Sequence, residues 1–236
     1  MRLAVIPARG GSKRIPRKNI RLFDGRPIIA YSIDAAHQSG LFDRIVVSTD
    51  DEEIARIARE CGAETPFIRP PALADDHTGT NAVVRHAVEW MEAHGTPARE
   101  VCCIYATAPM VTADDIRAAH ALLTADTDFV ASATRFEFPV QRALVRSAGA
   151  KVVPMFPQWI ASRSQDLVEA LHDAGQFYWG WAQAYRRHEI LFDASVAAYE
   201  LPSHRVQDID NEDDWIRAER LFQWWKEQQR CGSPSA

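Results

Sequence analysis

Short apolar runs alternate with longer stretches of helical period along most of the chain. Leu3-Ala4-Val5-Ile6 reads as a buried first strand. Ile29, Ile33 and Ala36 then recur at helical spacing, behind Pro27 at the favoured first position and ahead of a stop at Gly40. Residues 44–48 predict a second strand. Thr49-Asp50-Asp51-Glu52 supplies cap acceptors and early negative charge to a helix with Ile54, Ile57 and Ala58 inward and Gly62 at its end. Residues 64–68 read as a third strand. A long loop over 69–80 leads to a helix with Val84, Ala87, Val88 and Met91 inward. Residues 101–105 make a fourth strand. Thr112 with Asp115 spells a capping box for a helix carrying Ile116, Ala119 and Leu123, and 128–134 is a fifth strand.

This alternation predicts an α/β fold, a mainly parallel sheet with helices on both faces. Such sheets bind ligands beyond the carboxyl ends of their strands. Three conspicuous loops, after Ile6, Ile68 and Tyr105, leave such ends and can meet over one crevice.

The rhythm breaks after Arg135. Residues 142–147 and 151–155 flank Ala148-Gly149-Ala150, a hairpin signal, and no clear period follows until about Ser164. We read 136–164 as an arm or lid on an otherwise single domain spanning 1–236. An excursion onto a second subunit and a local β lid both fit the pattern. Residues 175–181 and 196–201 return to strand, and 205–209 runs into Asp208-Ile209-Asp210. Asn211 caps a last helix whose Trp215, Ala218, Phe222 and Trp225 form a core or interface stripe. The tail, 231–236, is expected to fray.

Composition narrows the classes. With 47% hydrophobic and 25% charged residues and a net charge of -5, nothing calls for nucleic acid or membrane partners. No apolar run approaches the roughly 18 residues of a membrane helix. Cys61, Cys102, Cys103 and Cys231 show neither C-x-x-C nor zinc spacing, and the adjacent pair reads as small core residues. A strand beginning at Leu3 leaves no room for a signal peptide. Together these predict a reducing cytoplasm.

Charge changes the picture at one place. From Met1 to Phe23 there are seven Lys or Arg residues and no acid, in a chain that is net negative. The centre of this stretch is Ile6-Pro7-Ala8-Arg9-Gly10-Gly11-Ser12-Lys13-Arg14-Ile15-Pro16-Arg17-Lys18-Asn19. A Gly-Gly pair lets backbone N–H groups approach an anion, and Lys and Arg add point charges and bidentate forks. This predicts a polyphosphate-binding loop. The spacing matches neither the P-loop nor the dinucleotide fingerprint. A merely solvated basic loop would mix both signs, and this one does not.

Asp208 and Asp210, two apart at a predicted strand end, share a face. Such a pair suits Mg²⁺, which combines a few protein oxygens with phosphate and water. An acid-rich helix start is the plainer alternative, and Glu212, Asp213 and Asp214 are assigned to it. No Ser-His-Asp or Cys-His arrangement is evident, and phosphoryl transfer needs none, because positioning, cations and metal carry it.

Ala8, Arg9, Ser12, Lys13, Pro16, Lys18 and Asn19 match an A-R-x-x-S-K-x-x-P-x-K-N pattern. The loop thereby resembles the signature of the CMP-sialic acid synthetase family of sugar cytidylyltransferases, and the likeness runs from Leu3 to about Trp225. The resemblance implies a nucleotide-diphospho-sugar transferase-like fold that forms a homodimer through an arm. It implies CTP bound along Ala8, Arg9, Gly10, Gly11, Ser12, Lys13, Lys18 and Asn19. It makes Arg9, Lys13, Asp208 and Asp210 catalytic, with Mg²⁺ on the two aspartates. Thr78 and Thr80 become candidates for cytosine or ribose contacts. Arg163, in Arg163-Ser164-Gln165-Asp166, matches a segment that reaches sugar or phosphate, with a surface Arg as the alternative. Residues 172–178 resemble the lining of the sugar pocket, offering Gln176 and Tyr178. His172 beside Asp173 reads as a structural pair rather than a base.

One departure bears on the substrate. The family usually carries Gln-Pro-Thr-Ser-Pro after the fourth strand, and here the segment is Tyr105-Ala106-Thr107-Ala108-Pro109. Tyr105 in place of Gln points away from N-acetylneuraminate. Residues 105–111 and 173–179 look closest to the branch that activates pseudaminic acid. The implied reaction joins CTP and a nine-carbon α-keto acid sugar to give CMP-sugar and pyrophosphate. N-acetylneuraminate or legionaminate as acceptor, and a non-catalytic nucleotide-binding module, are the alternatives.

Overall fold

The structure, a computed structural model, describes residues 1–76 and 78–232. His77 of the 69–80 loop and residues 233–236 of the tail lie outside them. The chain runs β1 (Arg2–Pro7), β2 (Leu22–Phe23), β3 (Arg26–Pro27), α1 (Ile29–Ser39), β4 (Arg44–Ser48), α2 (Glu52–Glu60), α3 (Thr80–Ala93), β5 (Glu100–Ile104) and α4 (Ala113–His120). It continues with β6 (Phe129–Arg135), β7 (Leu144–Arg146), β8 (Val152–Pro154), β9 (Leu171–Trp181), α5 (Ala182–Arg187), β10 (Val196–Glu200) and α6 (Glu212–Gly232).

Six strands form the central sheet in the order β10-β6-β9-β5-β1-β4. The β4–β1–β5 and β10–β6 pairings are parallel, and β9 runs antiparallel to both β5 and β6. The sheet is therefore mainly parallel, as the alternation predicts. Helices α1, α2 and α4 cover one face through Ile29, Ile33, Ile54, Ala58, Ile116 and Ala119. Helices α3 and α5 cover the other through Val84, Ala87, Val88, Met91 and Tyr185. Cys102 and Cys103 point into opposite core layers, both fully buried, as a strand's period of two requires.

Four expectations change. Residues 64–68 make one bridge, Glu64 to Val46, instead of a strand, because Pro66 lacks the N–H a ladder needs. Pro27 closes the β2–β3 pair rather than opening α1, which starts at Ile29. Residues 206–210 are irregular, so Asp208 and Asp210 stand on a loop and not on a strand end. Helix α6 continues through Cys231 to Gly232.

Strand β9 is also longer than its apolar run. Ala131 pairs with Tyr178 while Ala133 pairs with Asp173, so β9 carries extra residues in a bulge. Gly175 supplies the left-handed turn at φ 60° that the bulge requires. Ser132 Oγ accepts hydrogen bonds from the Gln176 and Phe177 amides and holds the bulge to β6.

A third cluster lies at the edge of the molecule. Phe23, Trp215, Ala218 and Phe222 pack there with Ile15 and Ile209. The Trp215-Ala218-Phe222 stripe is thus core. It anchors the underside of the basic loop and the residue between the two aspartates in one apolar block.

Candidate active site

The loops after β1 and β5, with the 69–80 segment, line one cleft of about 280 Å³. Arg9, Ser12, Arg14, Lys18, Asn19, Thr78, Thr80, Tyr105 and Asp210 all face it. The convergence expected of the three loops is therefore observed.

The basic loop is braced from within. Asn19 is buried and donates to the Arg9 carbonyl at 3.0 Å. Ala8 is buried and extends β1 by donating to the Ser48 carbonyl at 2.9 Å. Arg17 adopts a left-handed φ of 57° and forks onto Asp51 at 2.6 and 2.9 Å. That fork holds the Asp51 carboxyl down at about 2. Lys18 donates to the Ile209 carbonyl at 2.5 Å and lies 3.8 Å from Asp210. Burial lowers its pKa, opposed by Asp210 and Asp208. Arg21 pairs with Glu212 and covers the Trp215 ring. Arg17 and Arg21 therefore position the loop, and Lys18 both braces it and lines the cleft with Arg9 and Arg14, while Lys13 lines a small pocket beside it.

The two glycines differ. The Gly10 N–H donates to Asp50 at 2.9 Å, so an internal carboxylate uses it in place of a phosphate. A Cβ on Gly10 would meet the Asp51 side chain at 2.8 Å, and that contact explains the glycine. Gly11 is open on all sides. Ser12 turns its N–H onto the Gly10 carbonyl at 3.0 Å and keeps its hydroxyl at the cleft.

On the facing wall, Arg9 and Lys13 meet Asp76 at 2.6 and 2.5 Å. Thr78 donates through N–H and hydroxyl to Asp75. Arg14 pairs with Asp210 at 2.9 Å. Gln207 donates to the Asp208 carbonyl at 2.7 Å, but no described side chain donates to the Asp208 carboxylate, and desolvation followed by the Asp210 charge raises its pKa. A cation beside the pair would relieve both effects, so the donor set fits Mg²⁺. Among the described residues no group of three or more ligating side chains occurs, so phosphate and water oxygens would complete the shell.

Arg69 carries a role that the charge pattern alone did not single out. It is 3% exposed, donates to Ser48 Oγ, the Ser48 carbonyl and the Leu73 carbonyl, and forms the cleft floor. Among the described residues no carboxylate forms an ion pair with it, and burial lowers its pKa, opposed by the Asp50 charge.

A second chamber of about 210 Å³ shares Thr80 and Tyr105 with the first. The Tyr105 hydroxyl lies 3.0 Å from Thr80 Oγ1, and its ring meets Tyr178 edge-on. Burial pushes the Tyr105 pKa up to about 12, so it stays protonated at neutral pH. The Tyr178 hydroxyl donates to Asp173 at 2.7 Å. Residues 173 and 178 are five apart and would face opposite ways in a regular strand, and the β9 bulge brings them together. Asn81 and residues 189–192 complete the lining.

Three candidates lie elsewhere. Gln176 is 2% exposed and donates to the Ala174 carbonyl, inside the core. His172 bonds the Asp173 carbonyl and meets Phe136 edge-on, a structural arrangement. Arg163 is exposed on the arm and paired with Asp166.

Comparison with known proteins agrees with this geometry. A family model described as cytidylyltransferase matches residues 3–227. The chain is 42% identical to a pseudaminic acid cytidylyltransferase of Campylobacter jejuni, over 93% of this chain and 95% of that one. It is 29% identical to an N-acylneuraminate cytidylyltransferase of Streptococcus agalactiae, over 91% of this chain and 51% of that one. A solved CMP:2-keto-3-deoxy-manno-octonic acid synthetase complexed with CTP superposes with a TM-score of 0.68 at 18% identity, covering 95% and 99% of the two chains. The chain belongs to the cytidylyltransferase family and is a CTP-dependent nucleotidyltransferase.

Proposed function

We propose that this chain activates pseudaminic acid, joining it to CTP to give the CMP-sugar and pyrophosphate. The observation that carries the reading is the pair of chambers divided by Thr80 and Tyr105. One is lined with cations suited to a triphosphate. The other offers a hydroxyl–carboxylate pair beside apolar side chains, suited to a sugar with both polar and acylamino groups. The 42% identity to a pseudaminic acid enzyme supports this acceptor.

Arg9, Ser12 and Lys13 hold the triphosphate, and Arg69, Thr78 and Thr80 line the nucleoside end. The sugar's anomeric oxygen attacks the α-phosphorus in line. The α–β bridging bond breaks, pyrophosphate leaves, and the hydroxyl proton passes to solvent. Tyr105, held protonated, orients the acceptor and takes no proton. Asp208 and Asp210 are the residues to hold Mg²⁺, which when bound offsets charge on the reacting phosphates.

Residues 1–236 form one catalytic unit in this reading, working in the cytoplasm, and 136–164 is a dimerisation arm. Phe138 is 81% exposed, and Leu144, Val152 and Met155 are each more than half exposed, apolar side chains that a partner surface would bury. In this reading a second copy covers these side chains. Light scattering at micromolar concentration should give a dimer, and a monomer would remove the arm's role.

Pyrophosphate release with CTP, Mg²⁺ and a sugar panel tests the function. Pseudaminic acid should exceed N-acetylneuraminate and the eight-carbon acid Kdo in kcat/KM by orders of magnitude. Comparable values would reject the acceptor. No turnover with any sugar would favour a binding module.

A further inference from the structure

The chemistry above gives no task to Asp76, which lines the cleft. Asp76 Oδ1 accepts from Arg9 Nη1 at 2.6 Å, and Oδ2 accepts from Lys13 Nζ at 2.5 Å. A single carboxylate therefore spans the two cations assigned to the triphosphate. Asp75 presents it: its carboxylate accepts from the Thr78 amide at 2.7 Å, and its carbonyl accepts from Arg9 at 2.9 Å. Carboxylate and phosphate oxygens are the same kind of acceptor for these donors, so both cannot hold them at once.

We propose that Asp76 is an internal competitor for the β- and γ-phosphates, occupying Arg9 and Lys13 in the empty enzyme, yielding them to CTP and retaking them as pyrophosphate departs. The proposal rests on the assignment of those two cations to the triphosphate. CTP carries several negative charges and is also held by its nucleoside, so it displaces one exposed carboxylate. Pyrophosphate, once cut from the nucleotide, has no second handle. A tethered competitor then lowers its apparent affinity by the fraction of time the cations are free. CMP lacks the β- and γ-phosphates and leaves the Asp76 contacts in place. Asp76 thereby favours release of one product without weakening the hold on the nucleoside.

The test is calorimetric titration of the full chain with Mg-pyrophosphate, Mg-CTP and CMP. Asp76→Asn keeps the size and removes the charge. It should tighten pyrophosphate and CTP about 3- to 10-fold, the range of two partly exposed ion pairs, and leave CMP unchanged. Product inhibition by pyrophosphate should deepen by the same factor. Asp76→Glu should restore wild-type affinities, which a merely structural role would not require. Unchanged or weaker pyrophosphate binding in Asp76→Asn, or equal tightening of CMP, overturns the proposal. Lys13→Ala separates the two layers. Undiminished pyrophosphate and CTP binding there would remove the triphosphate assignment itself, whereas a loss there with no gain in Asp76→Asn rejects only the competitor.

Discussion

Across the Thr80–Tyr105 partition, charge gives way to aromatic surface. On one side Arg9, Lys13, Arg14, Asp76 and Asp210 form cross-cleft ion pairs around a loop braced by Asn19, Arg17 and Lys18. On the other, Tyr105, Tyr178 and Asp173 form a short polar ladder beside Ile190 and Phe192, both more than half exposed. Both chambers open to solvent, so they differ in what lines them: ion pairs in the first, aromatic and aliphatic side chains beside one carboxylate pair of Asp173 and Glu189 in the second.

The largest expected effect lies on the charged side. Lys13→Ala should lower kcat/KM about 100-fold or more, roughly 2.7 kcal/mol of transition-state stabilisation. Lys13 is 79% exposed in its side chain, so the melting temperature should hold. A matched loss of folded protein would contradict the phosphate role.

Next comes the acidic pair. Asp210→Asn should cost about 10- to 100-fold and raise the Mg²⁺ concentration needed for half-maximal rate. Asp213→Asn, on the exposed start of α6, should stay within about two-fold. Equal Mg²⁺ dependence in both variants and wild type would reduce the pair to helix-end acids.

The contrast between chambers is sharpened by Tyr178→Phe. It leaves Asp173 without its hydroxyl donor and should raise KM for the sugar about ten-fold, with KM for CTP unchanged. A rise in both would merge the chambers into one functional site.

The smallest effect is on stability. Asp208 has a raised carboxyl, which costs the folded state stability at pH values above its folded pKa. That cost fades as pH falls toward the unfolded value, where both states are protonated. Asp208→Asn should therefore raise the melting temperature by about a degree or two at pH 7 and by nothing near about pH 3. An equal gain at both pH values would deny an electrostatic origin.

Much of the nucleotide side was legible because its signals are local. The acid-free basic stretch, the glycine pair and the capping residue Asn211, whose Oδ1 accepts from Asp214 N–H, can each be recognised within a few residues. What the cations do was not legible. Arg17 answers to Asp51 and Arg21 to Glu212, partners set by tertiary folding. The Gly10 N–H, expected at a phosphate, goes to Asp50, and a Cβ at Gly10 would meet the Asp51 side chain. Strand β9 was legible as a strand but not in direction, because a continuous apolar run carries no mark of parallel or antiparallel pairing. Its bulge hid the Asp173–Tyr178 pair and misdirected attention to Gln176, which the extra residues turn into the core.

That bulge has a consequence for how such an enzyme diversifies. It sits on an interior strand, gripped by Ser132 on one side and in register with β5 on the other. Exchanges over 173–176, ahead of the residues paired with β5, change which side chains line the second chamber while the β5 register stays put. In the function proposed above, the acceptor's surroundings can then be rewritten at one kink in one strand without moving the charged cleft.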